Sequence, residues 1–147
     1  MELPQVEVKE KDQLKNKEKR ALEQFNALIS ALNDRELDQE MIEHIKGNIS
    51  NVRSEPNYNT IKKEESKILD YVKKKQGYVA KNHYMTLWIA LGMSTIGVPI
   101  GLAIGLALDQ LGFMGIGIGG GLAIGVAIGS KKDKNAKEQG KQLPITK

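Results

Sequence analysis

Seven glycines at four-residue spacing run through two long uncharged stretches: Gly97, Gly101 and Gly105 in the first, and Gly117, Gly121, Gly125 and Gly129 in the second. Residues 84–130 hold twelve of the fifteen glycines, and a phrase recurs, Gly101-Leu-Ala-Ile-Gly105-Leu-Ala against Gly121-Leu-Ala-Ile-Gly125-Val-Ala. Glycine weakens a helix in water by roughly 1 kcal/mol, so two stripes of it need a reason. In lipid, small residues four apart make a flat groove on which another helix backbone can lie. The pattern predicts a membrane-embedded helix pair.

Tyr84 to Leu108 is 25 residues without a formal charge, about 37 Å of helix, which exceeds a hydrocarbon core of roughly 30 Å. Leu111 to Ser130 adds 20 more uncharged residues, about 30 Å. Only Asp109 and Gln110 lie between, so the two spans must form an antiparallel hairpin with Asp109 in its loop. A soluble core could hide such a hairpin only against a large apolar remainder, and the rest of the chain is strongly polar.

Lysine placement sets the orientation. Lys73, Lys74, Lys75 and Lys81 precede the first span, Lys131, Lys132, Lys134 and Lys137 follow the second, and the loop has none. Positive residues stay on the cytoplasmic side. Both termini are therefore expected in the cytoplasm, with the hairpin integral to a bacterial-type inner membrane. Lys81, Tyr84, Trp88, Lys131 and Lys132 stand where interfacial anchors belong. The charged N-terminus lacks a signal-peptide pattern, so the first span is expected to act as its own insertion signal. Pro99 cannot donate to the carbonyl of Thr95, which predicts a kink. The hydroxyls of Ser94 and Thr95 are placed to satisfy backbone groups beside it.

Ahead of the hairpin lies a polar arm. Residues 1–13 read as a flexible lead, and residues 14–81 as a cytoplasmic helical arm. Leu14, Ala21, Phe25, Leu28 and Leu32, with Glu18 filling a gap, follow the alternating three- and four-residue steps of an amphipathic, coiled-coil-like seam. Asn33 with Glu36 suggests the capping box of a second helix carrying Leu37, Met41, Ile42, Ile45 and Ile49, with Gly47 weakening its end. Residues 53–60 read as a loop. A third helix, 61–75, places Ile61, Glu65, Ile68, Leu69 and Val72 on one side, and Gly77 ends it or bends it into the first span. Such thin stripes predict a marginal core, because a domain this small buries little surface, and self-association or a partner is expected to cover it. Residues 131–147 complete the chain as a basic cytoplasmic tail.

Catalytic chemistry finds little support. Gly115-Ile-Gly117-Ile-Gly119-Gly120 matches a dinucleotide fingerprint in letters, without the strand and βαβ unit that give it meaning. Glu43-His44 has no second histidine four residues away, so no metal site is expected. The absence of cysteine removes thiol chemistry. In segment 1–81 the 16 basic residues are offset by 15 acidic ones, which argues against nucleic acid. The sequence predicts no enzyme activity, no cofactor and no small-molecule substrate.

The segment from Asn82 to Leu143 resembles small bacterial two-span glycine-zipper membrane proteins. The likeness is carried by Met85-Thr86-Leu87-Trp88-Ile89-Ala90-Leu91-Gly92-Met93, Gly97-Val-Pro-Ile-Gly101, Gly125-Val-Ala-Ile-Gly129 and the closing Lys131-Lys132-Asp133-Lys134. It implies a helical hairpin that tends to oligomerise, and it supplies no catalytic residues. The expected fold is all-α, a transmembrane hairpin of residues 82–130 plus the cytoplasmic arm. The expected function is a non-enzymatic scaffold or accessory subunit that oligomerises, or docks in a larger membrane-protein complex, through its glycine-zipper helices. The competing class is a pore or channel assembled from hairpin multimers; against it, the spans carry no charge to line a water-filled path.

Overall fold

The computed structural model describes residues 2–7 and 14–146. It is mostly helical and divides into two compact units, one built from the chain up to Ala80 together with Leu143–Thr146, the other from Lys81–Gln142.

Three helices make the body of the first unit: α1 (Asn16–Asn33), α2 (Gln39–Ser54) and α3 (Tyr58–Gln76). The stripe residues face inward as their spacing predicts, Ile45 and Ile49 from α2 and Ile61, Ile68 and Val72 from α3 being buried. Several local expectations are corrected. Asn33 does not cap the second helix; it is the last residue of α1, and Asp38 caps α2, accepting from the Met41 N–H at 2.7 Å. Gly47 lies inside α2, which continues to Ser54. Glu18 leaves the seam to accept from the Lys15 N–H at 2.9 Å, closing the first turn of α1. The loop expected over 53–60 narrows to residues 55–57, because Asn57 starts α3 by accepting from the Thr60 N–H at 2.9 Å. Gly77 does end α3, at φ 77°, a conformation that favours glycine.

The larger correction concerns what covers the seam. Phe25, Leu28 and Leu32 are fully buried within the unit itself, and two segments outside the three helices help to bury them. Residues 2–7, expected as part of a flexible lead, send Leu3 and Val6 into the core; the rest of that lead lies outside the described residues. Two asparagines of α1 hold this segment. The Leu3 N–H donates to the Asn33 side-chain oxygen at 2.7 Å, and the Asn33 amide donates back to the Leu3 carbonyl at 3.0 Å. Asn26 does the same for Val6, at 2.9 and 3.0 Å. The match is geometric. Seven residues of helix rise about 10.5 Å, and three residues of extended chain span about 10 Å, so Asn26 and Asn33 meet Val6 and Leu3 in step.

The second segment comes from the far end of the chain. Strand β1 (Val79–Lys81) pairs with β2 (Gln142–Thr146) in a two-stranded sheet, an addition to the expected all-α fold, and Leu143 and Ile145 join the core. Part of the expected tail thus belongs to the first unit. Two carboxylates are also buried there, and each is paired. Glu65 meets Lys62 at 2.7 Å, and Glu64 meets Lys67 at 2.7 Å and Asn51 at 3.2 Å. Burial pushes the Glu64 carboxyl up, but the hydrogen bonds from Lys67 and Asn51 outweigh it and hold it below the usual glutamate value. On the surface, Glu40 of α2 accepts from Lys75 and Tyr71 of α3, and these bonds lower its carboxyl in the same way. His44 stacks on Tyr71 at 4.0 Å, so this histidine serves the α2–α3 contact.

In the second unit a continuous apolar helix runs over His83–Ala107, made of α4 (His83–Leu91), a π-helical turn (Gly92–Gly97) and α5 (Val98–Ala107). Asp109, at φ 49°, sits in the turn that follows. After a short 3₁₀ turn (Leu111–Phe113), α6 runs from Met114 to Glu138, continuing as helix beyond the uncharged span that ends at Ser130.

Candidate functional site in the apolar helix pair

The two apolar helices meet through their glycines. Gly97, Gly101, Gly105, Gly117, Gly121, Gly125 and Gly129 are all buried, while none of the unit's Leu, Ile, Val, Met or Phe side chains is. A Cβ built on Gly97 would stand 3.0 Å from the Gly117 carbonyl oxygen and from Ile118 Cα. On Gly101 it would meet Met114 backbone, and on Gly125 it would lie 2.8 Å from the Trp88 carbonyl carbon. On Gly129 it would stand 2.5 Å from Met85 Cα. The partners descend along one helix as they ascend along the other. Gly105 is looser, with its nearest backbone atoms at 3.4 Å, because it lies beside the turn.

Gly92 belongs to this contact although the four-residue pattern omits it. It is buried, and a Cβ there would lie 3.1 Å from Gly125 Cα. Gly92 and Gly97 are five apart, a step that would turn them about 140° from one another on an α-helix. The π turn between them absorbs the extra residue and returns both to one face. Val98 N–H donates to the Met93 carbonyl, five residues back. Pro99 enters directly after this turn, at the second position of α5. Ser94 and Thr95 hydroxyls donate to the carbonyls of Ala90 at 2.8 Å and Leu91 at 2.6 Å, so they serve the backbone around the π turn.

At the end of the pair remote from the Asp109 turn, α6 contributes a residue that its glycines foreshadow. Asp133 continues the four-residue series 117, 121, 125, 129, and it is buried. Its carboxylate accepts the backbone N–H groups of Tyr84 at 3.1 Å and Met85 at 2.8 Å. These are among the four donors that a helix start leaves unsatisfied. Asn82 stands at the local cap position but makes no such bond. Asp133 therefore caps α4 from across the interface and fixes the register of the two helices. Reading the run after Ser130 as anchoring charges concealed this role. Asp133→Ala is expected to cost about 1–2 kcal/mol, as cap losses do. The check is hydrogen exchange in detergent: the Tyr84 and Met85 amides should speed up while those of α1–α3 do not change.

Among the expected anchors, the structure brings three together. The Lys132 ammonium lies 5.7 Å from the Trp88 ring and 6.0 Å from the Tyr84 ring. Lys81 and Lys131 are exposed.

The outward faces are apolar. Among the described residues, eleven large hydrophobics are exposed, from Leu87 to Ile124, and all lie in this second unit. The two helices, His83–Ala107 and Leu111–Glu138, are long and apolar enough to cross a membrane. Elsewhere, an open cleft of about 460 Å³ on the first unit is lined by Lys17, Arg20, Tyr58 and Lys62. Two of its lysines are engaged: Lys62 with Glu65 and Gln24, Lys17 over the Tyr58 ring at 4.0 Å. Among the described residues no three His, Cys, Asp or Glu side chains gather to hold a metal ion. No family model matches the chain, and no similar curated protein or solved structure is found.

Proposed function

We propose that this chain is a non-enzymatic integral membrane protein whose glycine-zipper hairpin anchors a folded helical bundle at the cytoplasmic face of the inner membrane, as a scaffold or as an accessory subunit of a larger complex. One observation carries the reading, the inversion of surface between the two units. The bundle turns its apolar residues inward, whereas the helix pair keeps glycine inside and Leu, Ile and Val outside. A helix buried in a soluble core would have most of its apolar stretch covered; here only 22% and 17% of the two stretches are. Water penalises such an exterior by roughly 25 cal/mol per Å², and a hydrocarbon layer removes that penalty.

The bundle bears on the choice among functions. Its seam is covered by its own chain, so a partner would meet its finished surface. Both glycine stripes are taken up within one chain, so self-assembly would use an outward face of the hairpin. The pore reading gains nothing from the hydroxyls inside the first span, since those of Ser94 and Thr95 are spent on backbone carbonyls.

Membrane fractionation with topology reporters is the decisive experiment. The protein should resist alkaline extraction, with both termini cytoplasmic and the Asp109 turn outside. Release by carbonate would defeat the membrane assignment, and a periplasmic terminus would defeat the topology. Recovery from mild detergent with larger subunits at fixed ratio would favour the accessory role over self-assembly.

A further inference from the structure

We propose that the lysine-rich end of the helix pair is a binding site for the headgroup of an anionic phospholipid, with Lys132, set beside Trp88 and Tyr84, as the residue that takes the phosphate. This rests on the membrane reading above and extends it from a bilayer of any composition to a lipid of stated charge. Charge is strongly polarised along the second unit. One end carries Lys81, Lys131, Lys132, Lys134, Lys137 and Lys141, and the turn at the other end carries Asp109 alone.

The acids at the basic end do little to offset it. Asp133 is buried, with its carboxylate committed to the N–H groups of Tyr84 and Met85. Glu138 stands 3.9 Å from Lys134, a turn and a half of helix beyond Lys132. What is left facing outward near the rings is cationic. Lys131, Lys132, Lys134 and Lys137 are also held in place, because α6 continues as helix to Glu138. The basic end is thus a rigid continuation of the apolar helix.

Lys132 has the geometry of a headgroup ligand. Its ammonium lies 5.7 Å from the Trp88 ring and 6.0 Å from the Tyr84 ring. Aromatic rings of this kind settle at the level where headgroups meet acyl chains. An ammonium beside a ring face is attracted by the ring, an interaction that consumes none of its three N–H donors, which are left for phosphate oxygens. Each lysine close to an anionic surface adds about fivefold to its attraction, and the aromatic contacts place this one at phosphate depth. The site commits to a lipid and not to a soluble phosphate, because two of its three members are half-buried rings beside an exposed apolar helix surface.

Trp88 is the only tryptophan, so it reports on its own site. The full chain is reconstituted in phosphatidylcholine vesicles, and brominated phosphatidylglycerol or brominated phosphatidylcholine is added at equal mole fraction. The anionic lipid should quench Trp88 about three- to tenfold more effectively, with the preference falling as salt rises. Lys132→Gln should bring the preference close to one while quenching by brominated phosphatidylcholine persists, and Lys132→Arg should retain it. Equal quenching of the parent protein by the two lipids would overturn the site, as would an undiminished preference in Lys132→Gln. Loss of the preference on adding soluble glycerol phosphate would reassign the site to a free phosphate and overturn the lipid. Quenching by neither lipid would remove the membrane reading itself, and the site with it.

Discussion

Gly121→Ala is expected to drive the two apolar helices apart, whereas Gly120→Ala, one position away, leaves them paired. A Cβ on Gly121 would meet the Gly92 carbonyl oxygen and stand 2.7 Å from both Cα and N of Gly97; on Gly120 it would meet nothing within 4 Å. The atoms in the way are backbone, so no side chain can rotate to make room and relief requires moving a whole helix. Overpacking in cores that can adjust costs about 1–3 kcal/mol, and this site belongs at or above the upper end. Single interhelical contacts in membranes are worth about 1 kcal/mol each, so one added methyl cancels several of them. The chain has no cysteine, which gives a clean assay. Ser130 Oγ lies 3.6 Å from Met85 Sδ, so the thiols of a Met85→Cys/Ser130→Cys pair should be bridged by a short bifunctional thiol reagent in detergent in the parent and in Gly120→Ala. In Gly121→Ala the cross-link should largely disappear. Unchanged cross-linking would show that the helices do not depend on glycine at their contact.

The legibility of this interface has a physical basis. Backbone-to-backbone approach admits one residue type, so a four-residue glycine series marks the contact face residue by residue. The same logic explains the two omissions. Gly92 falls five residues before Gly97, and only the π turn, which no periodicity announces, restores it to the face. Asp133 keeps the four-residue step but changes chemistry, from close packing to capping, just where charges are expected for the membrane surface. In the helical bundle, long periodic stripes such as Ile61, Ile68 and Val72 were readable because each repeats over several turns. Asn33 misled because an asparagine followed three residues later by Glu36 resembles a cap, while its amide is spent on Leu3. The pairs Leu3/Val6 and Leu143/Ile145 are too short to carry a period. Their partners lie 20 residues and more away in sequence, so their burial is a tertiary fact.

That tertiary fact leads to the second large effect. Leu143→Ala is expected to destabilise the helical bundle although Leu143 lies more than 60 residues beyond its last helix. The side chain is 0% exposed and sits in the same cluster as Phe25, Leu28 and Leu32. Leucine-to-alanine changes at such sites cost about 2–5 kcal/mol. A unit of about 80 residues holds only roughly 4–12 kcal/mol in all, so the change removes a large share. Phe25→Ala, at about 3–5 kcal/mol, sets the scale, and Pro144→Ala, at an exposed position, should do little. Hydrogen exchange on the full chain in detergent reads the outcome. Amides of α1–α3 should exchange faster in Leu143→Ala and in Phe25→Ala, while those of α5 and the apolar part of α6 keep their protection. If exchange in α1–α3 is unchanged, the C-terminal strand contributes nothing to the bundle's core. The result also governs how fragments behave. A piece ending at Lys81 would lack Leu143 and Ile145 and expose the surface they cover. Helix that such a piece gained with concentration would then report a second copy filling that place, and not a surface evolved to recruit a partner.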